Sequence, residues 1–136
     1  MASGTFYADG ILETFKGTTA FSARTSVWVS LHTAAPGGTG ANEATWSKYA
    51  RKKLTKGNWG AVTGTVAVNR RIQYKSTITF STVGTTTAGE TMQAVGIWNA
   101  ASGGSFLVGG SLNTSIALAA GSVPSFSASA LDIQQD

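Results

Sequence analysis

The sequence predicts a mainly-β fold, an antiparallel β-sandwich or jelly-roll-like barrel with one short N-terminal helix. Three observations point there. Apolar and polar residues alternate over several short stretches, as in strands with one buried face. Gly, Ser and Asn punctuate those stretches, with no long helical patterns between them. Only one segment carries an apolar period close to 3.6 residues. There is no fixed-period repeat and no low-complexity linker, so residues 1–136 are read as a single domain. A chain of this length can bury roughly two thirds of the surface it exposes when unfolded, enough for a core without staples.

The helix is expected over residues 6–16, FYADGILETFK. Ala8, Ile11, Leu12 and Phe15 fall on one side, Thr5 can cap the start, and Gly17 stands where a left-handed terminator belongs. So short an amphipathic helix must dock on a sheet or a neighbouring chain to persist. Residues 27–33 alternate Val27, Val29 and Leu31 against Trp28, Ser30 and His32, a strand with one core face. Residues 34–42, with Pro36 and three glycines, are expected to form an exposed, mobile loop. Trp46 and Tyr49 mark the return to ordered structure.

Lys56-Gly57-Asn58 supplies a turn before two predicted strands, 61–69 and 71–80. The second places Arg71 and Lys75 together on its polar face. A polar loop (81–91), a buried strand (92–99) and a turn (100–104) follow. Short strands at 106–110, 115–118 and 126–133 complete the series, the last two separated by residues 119–124.

Composition narrows the function. Charged residues make up 12% of the chain, about half the ~25% usual in globular domains. Low charge density weakens the ordinary defence against association, so neighbours are expected to cover much of the surface. A β domain with a Ser/Thr-rich exterior is the plainer alternative. The net charge is +4, and its placement is uneven. Eight of the ten basic residues are Lys48, Arg51, Lys52, Lys53, Lys56, Arg70, Arg71 and Lys75, and no Asp or Glu lies between Glu43 and Glu90. That asymmetry implies an acidic partner, protein or nucleic acid.

There is no cysteine, which excludes disulfides and thiolate metal sites. The first ten residues lack the basic and apolar regions of a secretory signal, and no apolar run approaches the ~20 residues that span a bilayer. The expectation is a soluble product made in the cytoplasm, with no membrane partner.

Catalytic chemistry finds little support. A Ser-His-Asp triad would need His32, the sole histidine, and no nucleophile-elbow motif surrounds any serine. Six scattered acids offer no glycosidase pair and no metal cluster. Gly37-Gly38-Thr39-Gly40 lacks the Gly-Lys-Ser/Thr ending of a phosphate loop. We therefore expect no enzyme activity, no cofactor and no metal. The basic segment interleaved with Trp46, Tyr49, Trp59 and Tyr74 has the ingredients of a single-strand nucleic-acid binder. The aromatics do not alternate regularly with the cations, which favours core packing and an acidic protein neighbour.

Val27-Trp-Val-Ser-Leu-His-Thr-Ala-Ala-Pro-Gly-Gly-Thr-Gly-Ala-Asn-Glu, followed by Tyr49-Ala-Arg51, resembles a family of small tailed-bacteriophage proteins. Its members carry a Leu-His-Thr-Ala-Asp-Pro-Gly type motif, a Gly-Thr-Gly-x-Asn-Glu loop and then Tyr-Ala-Arg. Val95-Gly-Ile-Trp-Asn-Ala-Ala-Ser-Gly-Gly104 resembles a further block, Gly-Ile-Phe-Asp-Ala-Ala-Ser-Gly-Gly, and the likeness extends to the N-terminal helix. The resemblance implies a virion structural protein, either a capsid cement (decoration) protein or a tail fibre-like one. This chain departs at Ala35, where the motif carries Asp, and in the density of charge from Lys48 to Lys75.

The expectation is accordingly a cement protein on the capsid surface of the virion. It would bridge major capsid proteins and contact its own copies as a dimer or trimer. A tail or tail-fibre role is the alternative, with nucleic-acid binding behind both. The expected partner-binding residues are Lys48, Arg51, Lys52, Lys53, Lys56, Arg70, Arg71 and Lys75, with Pro36 and Trp46.

Overall fold

The structure, a computed structural model, describes residues 2–17, 24, 26–65, 68–84 and 90–135. The chain opens with a two-residue strand, β1 (Ala2–Ser3), and then the helix α1 (Thr5–Phe15). The N-cap is Gly4, which has no side chain to accept a first-turn N–H, and Thr5, the expected cap, is already the first helical residue. At the other end Gly17, at φ +74°, donates its N–H to the Thr14 carbonyl at 3.0 Å. Glycine takes this left-handed turn without the steric cost a Cβ would bring.

Of the helix side expected to be buried, Leu12 and Phe15 are exposed and Ile11 is half-buried. Phe15 is 85% exposed, and Leu12 and Phe6 also face solvent.

Among the described residues nine strands follow: β2 (Val27–His32), β3 (Lys52–Leu54), β4 (Thr63–Thr65), β5 (Val68–Gln73), β6 (Ile78–Thr79), β7 (Thr91–Trp98), β8 (Phe106–Ala117), β9 (Ser125–Phe126) and β10 (Asp132–Gln135). A 3-10 turn, Lys56–Asn58, lies between β3 and β4. All strand pairs are antiparallel. The main sheet has the order β1-β8-β7-β2-β3, beside a three-stranded sheet β10-β5-β4 and a ribbon β6-β9. The mainly-β expectation holds, but no sheet closes into a barrel.

One apolar cluster joins the three sheets. Val29, Leu31, Leu54, Val95, Ile97 and Leu107 come from the main sheet, and Tyr74, Ile78, Phe80 and Leu131 come from the others and their flanks. Alternation along β2 and β7 explains this face: every second residue points the same way.

Several predicted boundaries move for identifiable reasons. The predicted strand 61–69 is divided between β4 and β5, because Gly64 at φ +85° accompanies a register shift between Thr63 and Thr65. Such a bulge bends the strand toward its return. Residues 66–67 of that prediction lie outside the described residues. The predicted strand 71–80 stops at Gln73, where Tyr74 N–H turns to the Leu131 carbonyl and Lys75 N–H to the Asn58 carbonyl. The predicted strands 106–110 and 115–118 fuse into the twelve residues of β8. The prediction at 126–133 splits at a turn in which Ser129 has φ +64°. Within the predicted polar loop 81–91, Val83 is buried and exchanges backbone hydrogen bonds with Gly121 and Ser122; residues 85–89 lie outside the described residues.

Candidate interaction surface

The second face of β2 is as dry as the first. Ser30 and His32 are both 0% exposed, because residues 36–42 fold back over the sheet. The loop is exposed along its outer side, as expected, with Ala34, Ala35, Gly37, Thr39, Ala41 and Asn42 facing solvent, while Pro36 and Gly40 are buried against the sheet. Thr33 N–H binds the Asn42 carbonyl at 2.9 Å, and the N–H groups of Gly40 and Ala41 both reach the Pro36 carbonyl. Gly40, at φ +77°, lies so close to the Trp98 indole that a Cβ there would stand 2.4 Å from it. Opposite, a Cβ on Gly96 would stand 2.7 Å from both His32 and Phe106. The small residues exist because backbone and rings meet here.

Under this cover His32 Nδ1 donates to the Ala41 carbonyl at 2.7 Å. A carbonyl can only accept, so the proton sits on Nδ1 and Nε2 accepts the Ser30 hydroxyl at 2.7 Å. Ser30 Oγ in turn accepts the Trp98 indole N–H at 2.8 Å. Burial pushes the His32 pKa below its ordinary value of 6.5, outweighing the Ala41 hydrogen bond and the nearby Glu43 charge. The Ser-His pair is closed to solvent and ties the loop to the sheet.

Arg51 was expected on the partner-binding surface, and the structure places it elsewhere. Its side chain is 8% exposed. The guanidinium forks onto Glu43, Nε to Oε1 at 2.8 Å and Nη2 to Oε2 at 2.7 Å. Nη1 reaches the carbonyls of Ala100 and Gly103, and the whole group lies over the Trp98 ring, 3.5 Å from its centroid. Tyr49 completes the network, accepting Leu31 N–H at 3.0 Å and donating to Glu43 at 2.9 Å. Burial pushes the Glu43 carboxyl up, but the bonds from Arg51 and Tyr49 overcome that and hold it below the usual range. Sequence reading had all the parts and missed the pairing. The available signal was Glu43 standing as the last acid before a long acid-free run.

Pro36 and Trp46 are also inside the fold. Pro36 is buried under the loop, and Trp46, 3% exposed, packs edge-on against Tyr49 at 4.8 Å. Their contacts are with this chain's own residues.

The remaining cations do face outward. Lys48, Lys53, Lys56, Arg70, Arg71 and Lys75 are exposed, and Lys52 is half-buried. Arg71 lies in β5, but Lys75 falls beyond its end at Gln73, so the two do not share one strand face as the predicted strand 71–80 required. Arg71 pairs with Asp132 at 3.4 Å, and Lys75 Nζ donates to Gln73 at 2.9 Å. Hydrogen bonds fix the neighbours: Thr55 N–H binds the Tyr74 hydroxyl at 3.0 Å, and Lys75 N–H binds the Asn58 carbonyl at 2.7 Å. These bonds hold the backbone at Lys75 beside the 3-10 turn that carries Lys56, whereas Lys53 stands opposite Trp28, on the face of the main sheet away from Val29. Lys48 is anchored elsewhere, its carbonyl accepting the Ser81 hydroxyl. Among the described residues, Lys48, Lys52, Lys53, Lys56 and Arg70 make no ion pair.

The four aromatics interleaved with these cations turn inward. Tyr74 is buried beneath Trp59, which meets it edge-on at 5.2 Å, and Tyr49 stacks on Phe80 at 6.3 Å. With Trp46 buried as well, the stacking element of a single-strand binding site is missing from this group. Among the described residues no three His, Cys, Asp or Glu side chains gather as metal ligands. Among the described residues no helix is long and apolar enough to cross a membrane.

Comparison with known proteins adds one match. A family described as podophage GP4 fiber I protein gp80 matches residues 2–134. No curated protein matches the chain.

Proposed function

The chain belongs to the podophage GP4 fiber I protein gp80 family, a family of tailed-phage virion proteins, and on that footing we propose that it is a structural subunit of a phage tail fibre. The observation that carries this reading is the extent of the match, residues 2–134, which runs from β1 into β10. The sequence resemblance alone left two virion roles open. Of these, the fibre role agrees with the family description, while the capsid seat rests on the resemblance only. Fibre placement therefore replaces cement as the main reading.

The work is mechanical. A small β domain, locked by the Arg51 network, presents fixed surfaces to its neighbours and performs no reaction. Association with its own copies, as a dimer or trimer, suits the closed symmetry usual in such assemblies. Gold-labelled antibody against this protein, applied to intact virions, tests the placement. Label along the tail fibres is expected; label confined to the head would overturn it.

A further inference from the structure

We infer that residues 34–41 form a lid on the second face of the main sheet, fastened by His32 and released when acid protonates that ring, with the sheets still folded.

The lid has a floor and a neck. Its floor is the rings of Trp98 and Phe106 together with Gly96 and Gly109, whose missing Cβ atoms leave room for His32 and for Pro36 of the lid. Its neck is the bond from Thr33 N–H to the Asn42 carbonyl at 2.9 Å, and just beyond it Glu43 is clamped by Arg51 and Tyr49. Between those points, among the described residues, one hydrogen bond joins the lid to the sheet: His32 Nδ1 donates to the Ala41 carbonyl at 2.7 Å. The bonds from Gly40 and Ala41 to Pro36, and from Asn42 to Ala35, run within the loop.

The lid is also separate from the core. The apolar cluster takes Val29, Leu31, Val95 and Ile97 from the opposite face of β2 and β7. Lifting residues 34–41 uncovers the floor and leaves that cluster closed. A local opening of this kind costs less than global unfolding.

Ser30 and His32 make the fastening sensitive to protons. In the neutral ring Nε2 accepts the Ser30 hydroxyl, and Ser30 Oγ accepts the Trp98 indole N–H. A protonated ring donates from both nitrogens. The Ser30 hydroxyl then turns to its second acceptor, the Gly96 carbonyl at 3.2 Å, and the bonding is kept. What remains is a cation at 0% exposure with only neutral partners. Glu43 attracts that charge but is committed to Arg51 and Tyr49, and Arg51 repels it. The lid, β7 and β8 carry no ionisable side chain. The strands beside the ring are held by ladder bonds and the lid by that one bond, so water reaches the charge by lifting the lid.

The test is hydrogen exchange, followed by NMR on the full chain between pH 7.5 and 5 and corrected for intrinsic rates. An open lid lets His32 titrate at its ordinary 6.5, while the closed lid holds it lower, so the open fraction grows as pH falls. Exchange of the Trp98 indole N–H should therefore quicken roughly tenfold per pH unit below 6.5. The backbone amides of β7 should not follow, and His32→Gln should remove the dependence. If that variant does not fold, the ring resonances of His32 in the unaltered chain decide instead. A ring still neutral below pH 6.5 while Trp98 exchange quickens supports the lid.

A Trp98 indole whose exchange is flat across this range would overturn the inference, whether or not the ring titrates. So would β7 amides quickening in step with Trp98, since the whole domain would then be opening. The same acceleration in His32→Gln would place the proton on another group and overturn it as well.

Discussion

Arg51 lies over the indole of Trp98, 3.5 Å from the ring centroid, while the same guanidinium holds Glu43 through two hydrogen bonds. A planar, permanently charged group suits both tasks, since the fork meets a carboxylate and the face meets a ring. The contact joins three separated blocks of sequence: the loop ending at Glu43, Tyr49-Ala-Arg51, and the stretch from Trp98 to Gly103. Those are the blocks that carry the phage resemblance. They make the frame of the domain, and the outward lysines stand on it.

Replacing Arg51 with Ala should cost about 3 kcal/mol, because Glu43 is left half-buried without its cation. Arg51→Lys should recover only part of this, having one donor site in place of the fork. Changing Arg51 to Met and Glu43 to Gln together should cost less than the sum of the single changes. Urea unfolding of the five variants (Arg51→Ala, Arg51→Lys, Arg51→Met, Glu43→Gln and the double change) checks it; additive losses would contradict the network.

Stability should depend on pH through His32. Burial holds its folded pKa below 6.5, so the folded state keeps the neutral ring while the unfolded chain takes up a proton as pH falls past 6.5. Stability is therefore complete above that pH, declines below it, and levels off beneath the folded pKa. Glu43 adds a lower window, since its depressed pKa contributes stability that is lost as pH falls from 4.5 through the folded value. Unfolding curves between pH 7.5 and 5, run beside a His32→Gln variant, should show the upper slope only in the unaltered chain.

The glycines under the loop should be intolerant, and one elsewhere should not. Gly40→Ala meets both a positive φ and the Trp98 ring, and Gly96→Ala meets His32, Phe106 and Ser30. Each should lose about 2 kcal/mol or more. A Cβ on Gly57 meets nothing within 4 Å, so Gly57→Ala should be neutral or slightly stabilising. Thermal melts of the three proteins separate these outcomes.

Phe15→Ser should leave the isolated domain's stability within about 0.5 kcal/mol, because the ring is 85% exposed and packs little in the single chain. A large drop in melting temperature would show that the helix is held by contacts other than those described.

Much of the frame was legible in the sequence. The cores of β2 and β7 were read to within a residue, and Gly17 was placed at the turn it makes, because these follow from local period and backbone sterics. The second face of β2 was not legible. Alternation marks Ser30 and His32 as the polar side, but it cannot say that a loop nine residues on will roof them. Arg51 was misjudged for a related reason. Counting cations cannot tell a solvated lysine from a guanidinium whose partners, Glu43 and Trp98, come from other elements. Strand breaks at Gly64 and Tyr74 were missed because each depends on a hydrogen bond or register shift with a distant strand.

The account stands or falls on where the protein sits in the virion. Gold-labelled antibody on intact particles is the most direct measurement, read by electron microscopy as the position of each grain relative to head and tail. The account predicts grains along the tail fibres and none on the head lattice. Grains on the head alone would contradict it.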